Sequence, residues 1–450
     1  MRPILDLTSF LTIIPQSRFW EAYVQGRRTI HVEYGNLESV MPQLKLTPIN
    51  IWGARVTAFD RKERFIIEGD FDSEAQSLDG KSLIRTSPCD TLPSTEALTQ
   101  QEEVRPEIDP EAFSPEELWQ QILTRLESTF DTLRKEHYQV KVWCGWEFRA
   151  YYNSLGSAMT SVFPLSKLKI SVRLAKTVLI KRAGAREGVE FFDKPQLALI
   201  EDFLRDVQHA RVAKKEEAIP KVLILNPEAT AMFIHEALGH SSEGDNVLAN
   251  NSYLPALLGH QIASPNVTIV DSPKDFHSLG SYPFDDEGTS VQTTPVVKEG
   301  IVNGYLTDRC TGAKLKVKST GNSRSFWYDA TPKVRMSNFA MLPSERNLED
   351  ILRDTKDGLL VKGMREGRSN DRTGDFSFKP NIAFRIRNGE LKEAVLISEI
   401  EGNALDYLKA ITDVSSTWSL CVAGCGKPTP QSDYAWVGYG APFVKFELQH

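Results

Sequence analysis

Ile234-His235-Glu236-Ala237-Leu238-Gly239-His240, running into Ser241-Ser242-Glu243-Gly244-Asp245, is the stretch on which the reading of this chain turns. Two imidazoles flank a carboxylate within six residues. They follow a short apolar strand, Val222-Leu223-Ile224-Leu225, and a helix start in which Asn226 is the N-cap and Pro227 the first helical residue. Such a grouping suits the metal site of a hydrolase, with His235 and His240 as ligands and Glu236 as general base. The spacing is unusual, because a helix turns about 100° per residue and side chains five apart diverge by roughly 140°. If both imidazoles hold one ion, the helix ends or takes a one-residue π-bulge near Gly239, where a glycine lets the backbone depart at little cost. A catalytic zinc keeps one tetrahedral position for water, so a third donor must come from elsewhere. Cysteine, histidine and carboxylate are all candidates.

Near the C-terminal end, Cys421-Val422-Ala423-Gly424-Cys425-Gly426-Lys427 sets two thiols among glycines. A thiolate on a glycine-flanked turn can approach a metal, although small buried cysteines are common without one. Asp285-Asp286-Glu287-Gly288, Glu243 and Asp245 are carboxylates that could orient a histidine ligand; for most of them a solvated acidic turn is the expected state. Between these points the second half reads as strands at 267–270, 294–297, 302–306, 382–386 and 394–397. Arg387-Asn388-Gly389-Glu390 is a two-residue hairpin signal.

The first half carries a different pattern. Residues 19–25, 29–34, 49–56 and 63–69 read as strands, largely on a period of two, and predict an antiparallel sheet. Residues 86–113 are polar, Pro-rich and acidic, as in an exposed linker or insertion. They end at Ser114-Pro115-Glu116-Glu117, a capping box, after which Leu118, Ile122, Leu126 and Phe130 form a buried stripe. Strands follow at 140–143, 147–152, 170–174 and 177–180. A helix over 195–212 then carries Leu197, Ile200, Leu204 and Val207 on one face, and Lys214-Lys215-Glu216-Glu217 marks a boundary. The expectation is an α+β protein of two domains: residues 1–215 with an antiparallel sheet and helices, and 216–450, mostly antiparallel β with one metal-motif helix. At 450 residues the chain exceeds what one core usually holds.

Composition narrows the function. The net charge of −7 argues against nucleic acid or an anionic membrane as main partner. The apolar run at 10–14 is interrupted by Pro15, too short for a membrane span and without a signal-peptide cleavage site. Five scattered cysteines predict a reduced, cytoplasmic chain.

Taken together, the motifs resemble the TldD/PmbA family of metallopeptidases. His235-Glu236-x-x-Gly239-His240-x-x-Glu243-Gly244-Asp245 is similar to its signature. Further matches follow in order: Asp286-Glu287-Gly288, Gly304-Tyr305-Leu306-x-Asp308-Arg309, Lys318-Ser319-Thr320-Gly321-Asn322, Gly374-Asp375-Phe376-Ser377-Phe378, Cys425-Gly426-Lys427, Gln431-Ser432 and Gly438-Tyr439-Gly440. Asn36-Leu37-Glu38-Ser39-Val40 is a looser match. The resemblance implies a zinc-dependent peptidase with ligands His235, His240 and Cys425 and with Glu236 as base. It also implies a dimer, with itself or with a related subunit, whose active site faces an internal cavity that admits unfolded peptides. Members lacking the zinc motif serve as partner subunits; this chain keeps the motif and resembles the catalytic kind. A zinc-stabilised partner or binding subunit without turnover is the alternative, and hydrolysis of a non-peptide amide a third.

Overall fold

The computed structural model describes residues 19–37, 41–58, 63–70, 82–85, 97–427 and 433–449. The apolar run at 10–14, Cys89 and the motif residues at 38–40 and 431–432 lie outside the described residues. In the first half, the alternating pattern becomes an eight-stranded sheet of β1 (Trp20–Gly35), β2 (Gln43–Ala58), β3 (Glu63–Asp70), β4 (Ser82–Arg85), β5 (Thr99–Glu103), β6 (His137–Asn153), β7 (Ala158–Arg173) and β8 (Val178–Ala185). Its order is β4-β3-β2-β1-β6-β7, and both β5 and β8 pair with the far edge of β7. The alternations at 19–25 and 29–34 belong to one strand, as do those at 140–143 and 147–152, because the period of two persists across the intervening residues.

One face of this sheet is closed by helices Pro115–Arg125, Glu127–Leu133 and Lys194–Val212. Ser114 caps the first as expected: its hydroxyl accepts from Glu117 N at 3.3 Å, and Glu117 accepts from Ser114 N at 2.9 Å. Leu118, Ile122, Leu126 and Phe130 are all buried. Ile200, Leu204 and Val207 of the third helix are buried with them, and the Leu197 side chain lies outside the described residues. The expected linker is a correction in part. Residues 86–96 fall outside the description, whereas Thr99–Glu103 pairs in parallel with β7, and Asp109 accepts from the Trp146 indole at 2.9 Å. Its polar sequence suits an edge strand, whose outer face meets water.

The second sheet has twelve strands and is mostly antiparallel. Val222–Leu225 lies at its centre, parallel to Asp357–Asn370 and antiparallel to Asp433–Glu447, and a strand covered on both faces reads as an unbroken apolar run. Lys214–Glu216, read from sequence as a boundary, pairs in parallel with Val395–Ile397. Asn388 and Gly389 turn the predicted hairpin with φ of 51° and 82°, the left-handed values its type requires. The fold class is therefore α+β, as expected.

The two halves meet through charge: Arg309 pairs with Glu21 at 2.6 Å, and Arg55 donates to the carbonyl of Asp286 at 3.2 Å. Within the first sheet, Glu147 is held by Arg27 and Arg149, each at 2.8 Å. Asp285 and Asp286 are buried, contrary to the solvated turn expected of them: backbone donors reach both oxygens of Asp285, and Ser325 donates to one oxygen of Asp286. Cys144, Cys421 and Cys425 are free thiols, but Cys310 is disulfide-bonded, which departs from a wholly reduced chain. Among the described residues no helix is long and apolar enough to cross a membrane.

Candidate metal centre

Asn226 starts the helix Pro227–Ile234 as predicted, its side chain accepting from Ala229 N at 3.0 Å. The chain then changes register. His235–Gly239 forms a single π-turn closed by the His240 N–H on the His235 carbonyl, and His240–Ser242 tightens to a 3₁₀ turn. One extra residue per turn removes the divergence of an i, i+5 pair, and the two imidazole centroids lie 4.7 Å apart. The expected bulge is present, but Gly239 has a different part in it. Its φ is −58°, open to any residue; what it cannot carry is a Cβ, which would sit 2.2 Å from the Met336 sulfur. Carbonyls released by the irregular turns are satisfied by side chains. Tyr253 donates to Ala237 O and Ser242 to Gly239 O, both at 2.6 Å, and Asn246 donates to His240 O at 2.9 Å.

The third donor comes from the strand Ile411–Lys427. Ligand atoms of His235, His240 and Cys425 all lie within 4.8 Å of one another, and Cys425 Sγ is 3.8 Å from His240 Nε2. Cys421 points to the same side of the strand but lies four residues, or about 13 Å, back along it. It donates instead to the Tyr439 carbonyl, and burial pushes its thiol up to about 12. Distance along a single strand thus separates two thiols that the sequence offered together. His235 is 2% exposed, and its Nδ1 has no hydrogen-bond partner. Two imidazoles and a thiol converging around an unsatisfied buried nitrogen fit a borderline-soft divalent ion such as zinc.

The surroundings orient these donors. His240 Nδ1 meets Glu243 Oε2 at 3.2 Å; Lys427 Nζ in turn meets that oxygen at 3.0 Å and both Asp245 oxygens at 2.7 Å. This chain fixes the ring so that Nε2 faces Cys425. Burial, reinforced by His240, holds His235 well below the usual imidazole range, as a neutral donor requires. Burial would also depress His240, but Cys425 and Glu243 outweigh it and hold it well above that range, so a cation arriving there displaces a proton. Asp285, Asp286 and Glu287 take no part; Glu287 sits at the junction of the sheets, accepting from Arg309 N at 3.0 Å.

Glu236 is half-buried beside the cluster. Burial, with Asp371 nearby, raises its carboxyl above the usual range, a direction that favours proton transfer near neutral pH. Its side chain fills the space over Gly367, where a Cβ would come 2.7 Å from Glu236 Cγ. Gly367, Ser369, Met336 and Tyr253 are site residues that sequence reasoning missed. The strand Asp357–Asn370 was not expected at all, and the signal available was a lone glycine between charged residues of that segment.

Residues 221–447 match the family described as PmbA/TldA metallopeptidase C-terminal domain. The chain belongs to the PmbA/TldD metallopeptidase family. A protein of Methanothermobacter thermautotrophicus named "Metalloprotease" is 37% identical over 223 residues, 50% of this chain and 48% of that relative. The "Zinc metalloprotease TldD homolog" of Saccharolobus solfataricus is 30% identical over 251 residues, 55% of each. In these matches the chain spans about half the length of the curated relatives. The fold extends further: the crystal structure of TldE from Thermococcus kodakarensis superposes with a TM-score of 0.67 at 20% identity, covering 96% of both chains. The family description and the names of both relatives are those of metallopeptidases, with zinc in the name of one.

Proposed function

We propose that this chain is a zinc peptidase that hydrolyses peptide bonds in unfolded or small peptides, with His235, His240 and Cys425 as ligands and Glu236 as general base. The observation that carries this reading is the convergence of three ligand atoms within 4.8 Å beside a half-buried carboxylate. Zinc held there would supply Lewis acidity toward a water and toward the scissile carbonyl. Glu236 accepts the proton as the carbonyl carbon is attacked, and returns it to the leaving nitrogen. Glu243 and Lys427 keep His240 in one orientation through this cycle. A structural zinc would call for four protein ligands, and among the described residues this cluster has three. In the same reading the chain divides into domains 1–215 and 216–450, and the subunit pairs with a copy of itself or a related chain in the cytoplasm.

Metal analysis of the purified protein, run beside digestion of an unfolded peptide, tests this reading. Glu236→Gln should retain zinc while cleavage falls by about 10²–10⁴-fold or more. A metal-loaded Gln variant as active as wild type would remove the proposed base.

A further inference from the structure

The eight-stranded sheet presents an unusual row of charge on the face away from its helices. Lys45, Glu33, Lys141, Lys169 and Arg182 are successive register partners across β2, β1, β6, β7 and β8. Two residues along the strands, Thr47, His31, Trp143, Lys167 and Gly184 form the next row of the same face. Intervening residues such as Val32, Val142 and Leu168 face the helices. Five basic side chains therefore share two adjacent rows with one carboxylate, Glu33, which is taken up by Lys141 at 3.0 Å.

Like charges directly opposite one another in a sheet are destabilising, and here Lys141, Lys169 and Arg182 stand in line. Their crowding is visible in the lysines: burial, then Arg182 and Lys169, push Lys167 down to about 7, and burial with Arg182 and Lys141 lowers Lys169. The chain as a whole carries −7, so composition does not account for this concentration of positive charge.

The row ends beside the metal centre. Arg182 donates to the carbonyls of Met364 at 3.3 Å and Arg365 at 3.0 Å, two residues short of the Gly367 that underlies Glu236. Lys167 Nζ lies 5.0 Å from the Trp436 ring, and Trp436 is the register partner of Gly424, next to Cys425.

We propose, building on the peptidase reading above, that this face binds an acidic segment of the peptide substrate, which lies across the strands with its carboxylates along the row from Lys45 to Arg182. Strands about 4.8 Å apart make that row roughly 19 Å long, and side chains on one side of an extended peptide recur about every 6.8 Å, so about three carboxylates meet it.

Fluorescence anisotropy with the full-length, zinc-loaded Glu236→Gln protein separates binding from cleavage. The probes are two labelled peptides of equal length, one with glutamate and one with lysine at alternate positions among glycines and serines. The glutamate peptide should bind at least about tenfold tighter at low ionic strength, and salt should erase the difference. Lys141→Glu with Lys169→Glu should abolish the preference, and the milder pair Lys141→Gln with Lys169→Gln should reduce it without introducing repulsion. Equal binding of both peptides at low salt, or a preference untouched in both paired variants, overturns the proposal. Equal cleavage of acidic and neutral peptides by the zinc-loaded wild type would also overturn it while leaving the peptidase reading intact. Selective binding without any cleavage would support the cationic face and instead remove the peptidase reading.

Discussion

Two helical segments of this protein, Lys194–Val212 and the run from Pro227 to Ser242, solve different problems with the same backbone. The first is nineteen residues of uninterrupted α-helix, and its buried residues Ile200, Phe203, Leu204 and Val207 follow the i, i+3, i+4, i+7 pattern. The second passes through α, π and 3₁₀ geometry within sixteen residues. Regularity is what packing against a sheet asks for; a departure from it is what lets residues five apart reach one point. The difference shows that a metal-ligand pair need not share a helix face in the sequence if a local turn and its polar supports restore convergence.

This contrast can be broken first at its ligands. Cys425→Ser should weaken zinc binding by at least about 100-fold, since even the partners that only orient ligands account for about 10–100-fold, whereas Cys421→Ser should leave stoichiometry unchanged. Loss of metal in the Cys421 variant would show that the wrong thiol has been placed at the cluster. Next in size, Ile200→Ala in the regular helix should lower unfolding stability by about 2–5 kcal/mol, measured by urea denaturation, with zinc affinity unaltered. A comparable loss of zinc affinity would mean that the two segments are coupled and not separate solutions. The smallest effect is expected from Gly239→Ala, whose new methyl would crowd Met336 and cost about 1–3 kcal/mol. Adding Met336→Ala should recover part of it. A variant with Gly239→Ala alone that is as stable as wild type would return Gly239 to a merely permissive role.

Much of the scaffold was legible because its signals are local. The capping box at Ser114, the Asn226-Pro227 helix start and the Asn388-Gly389 turn each depend on a few adjacent residues, and each is found where expected. The polar run at 99–103 was misjudged because an edge strand needs little apolar character once β7 offers its backbone. Asp285 and Asp286 were misjudged because nothing nearby in sequence announces the Ser323 and Ser325 donors that reach them.

By itself the sequence determined the pair His235 and His240, the carboxylate between them, the need for a break near Gly239, and two candidate thiols. Only the tertiary structure brings Cys425 and not Cys421 beside the two imidazoles, because the position of each along a strand depends on which neighbour it pairs with, and that neighbour is remote in sequence. It also decided that Gly367 makes room for Glu236 and that five scattered basic side chains line one sheet face. Short-range hydrogen bonds and periodicity are written in consecutive residues. Convergence of side chains from different strands is settled by long-range register, which no single stretch of sequence contains.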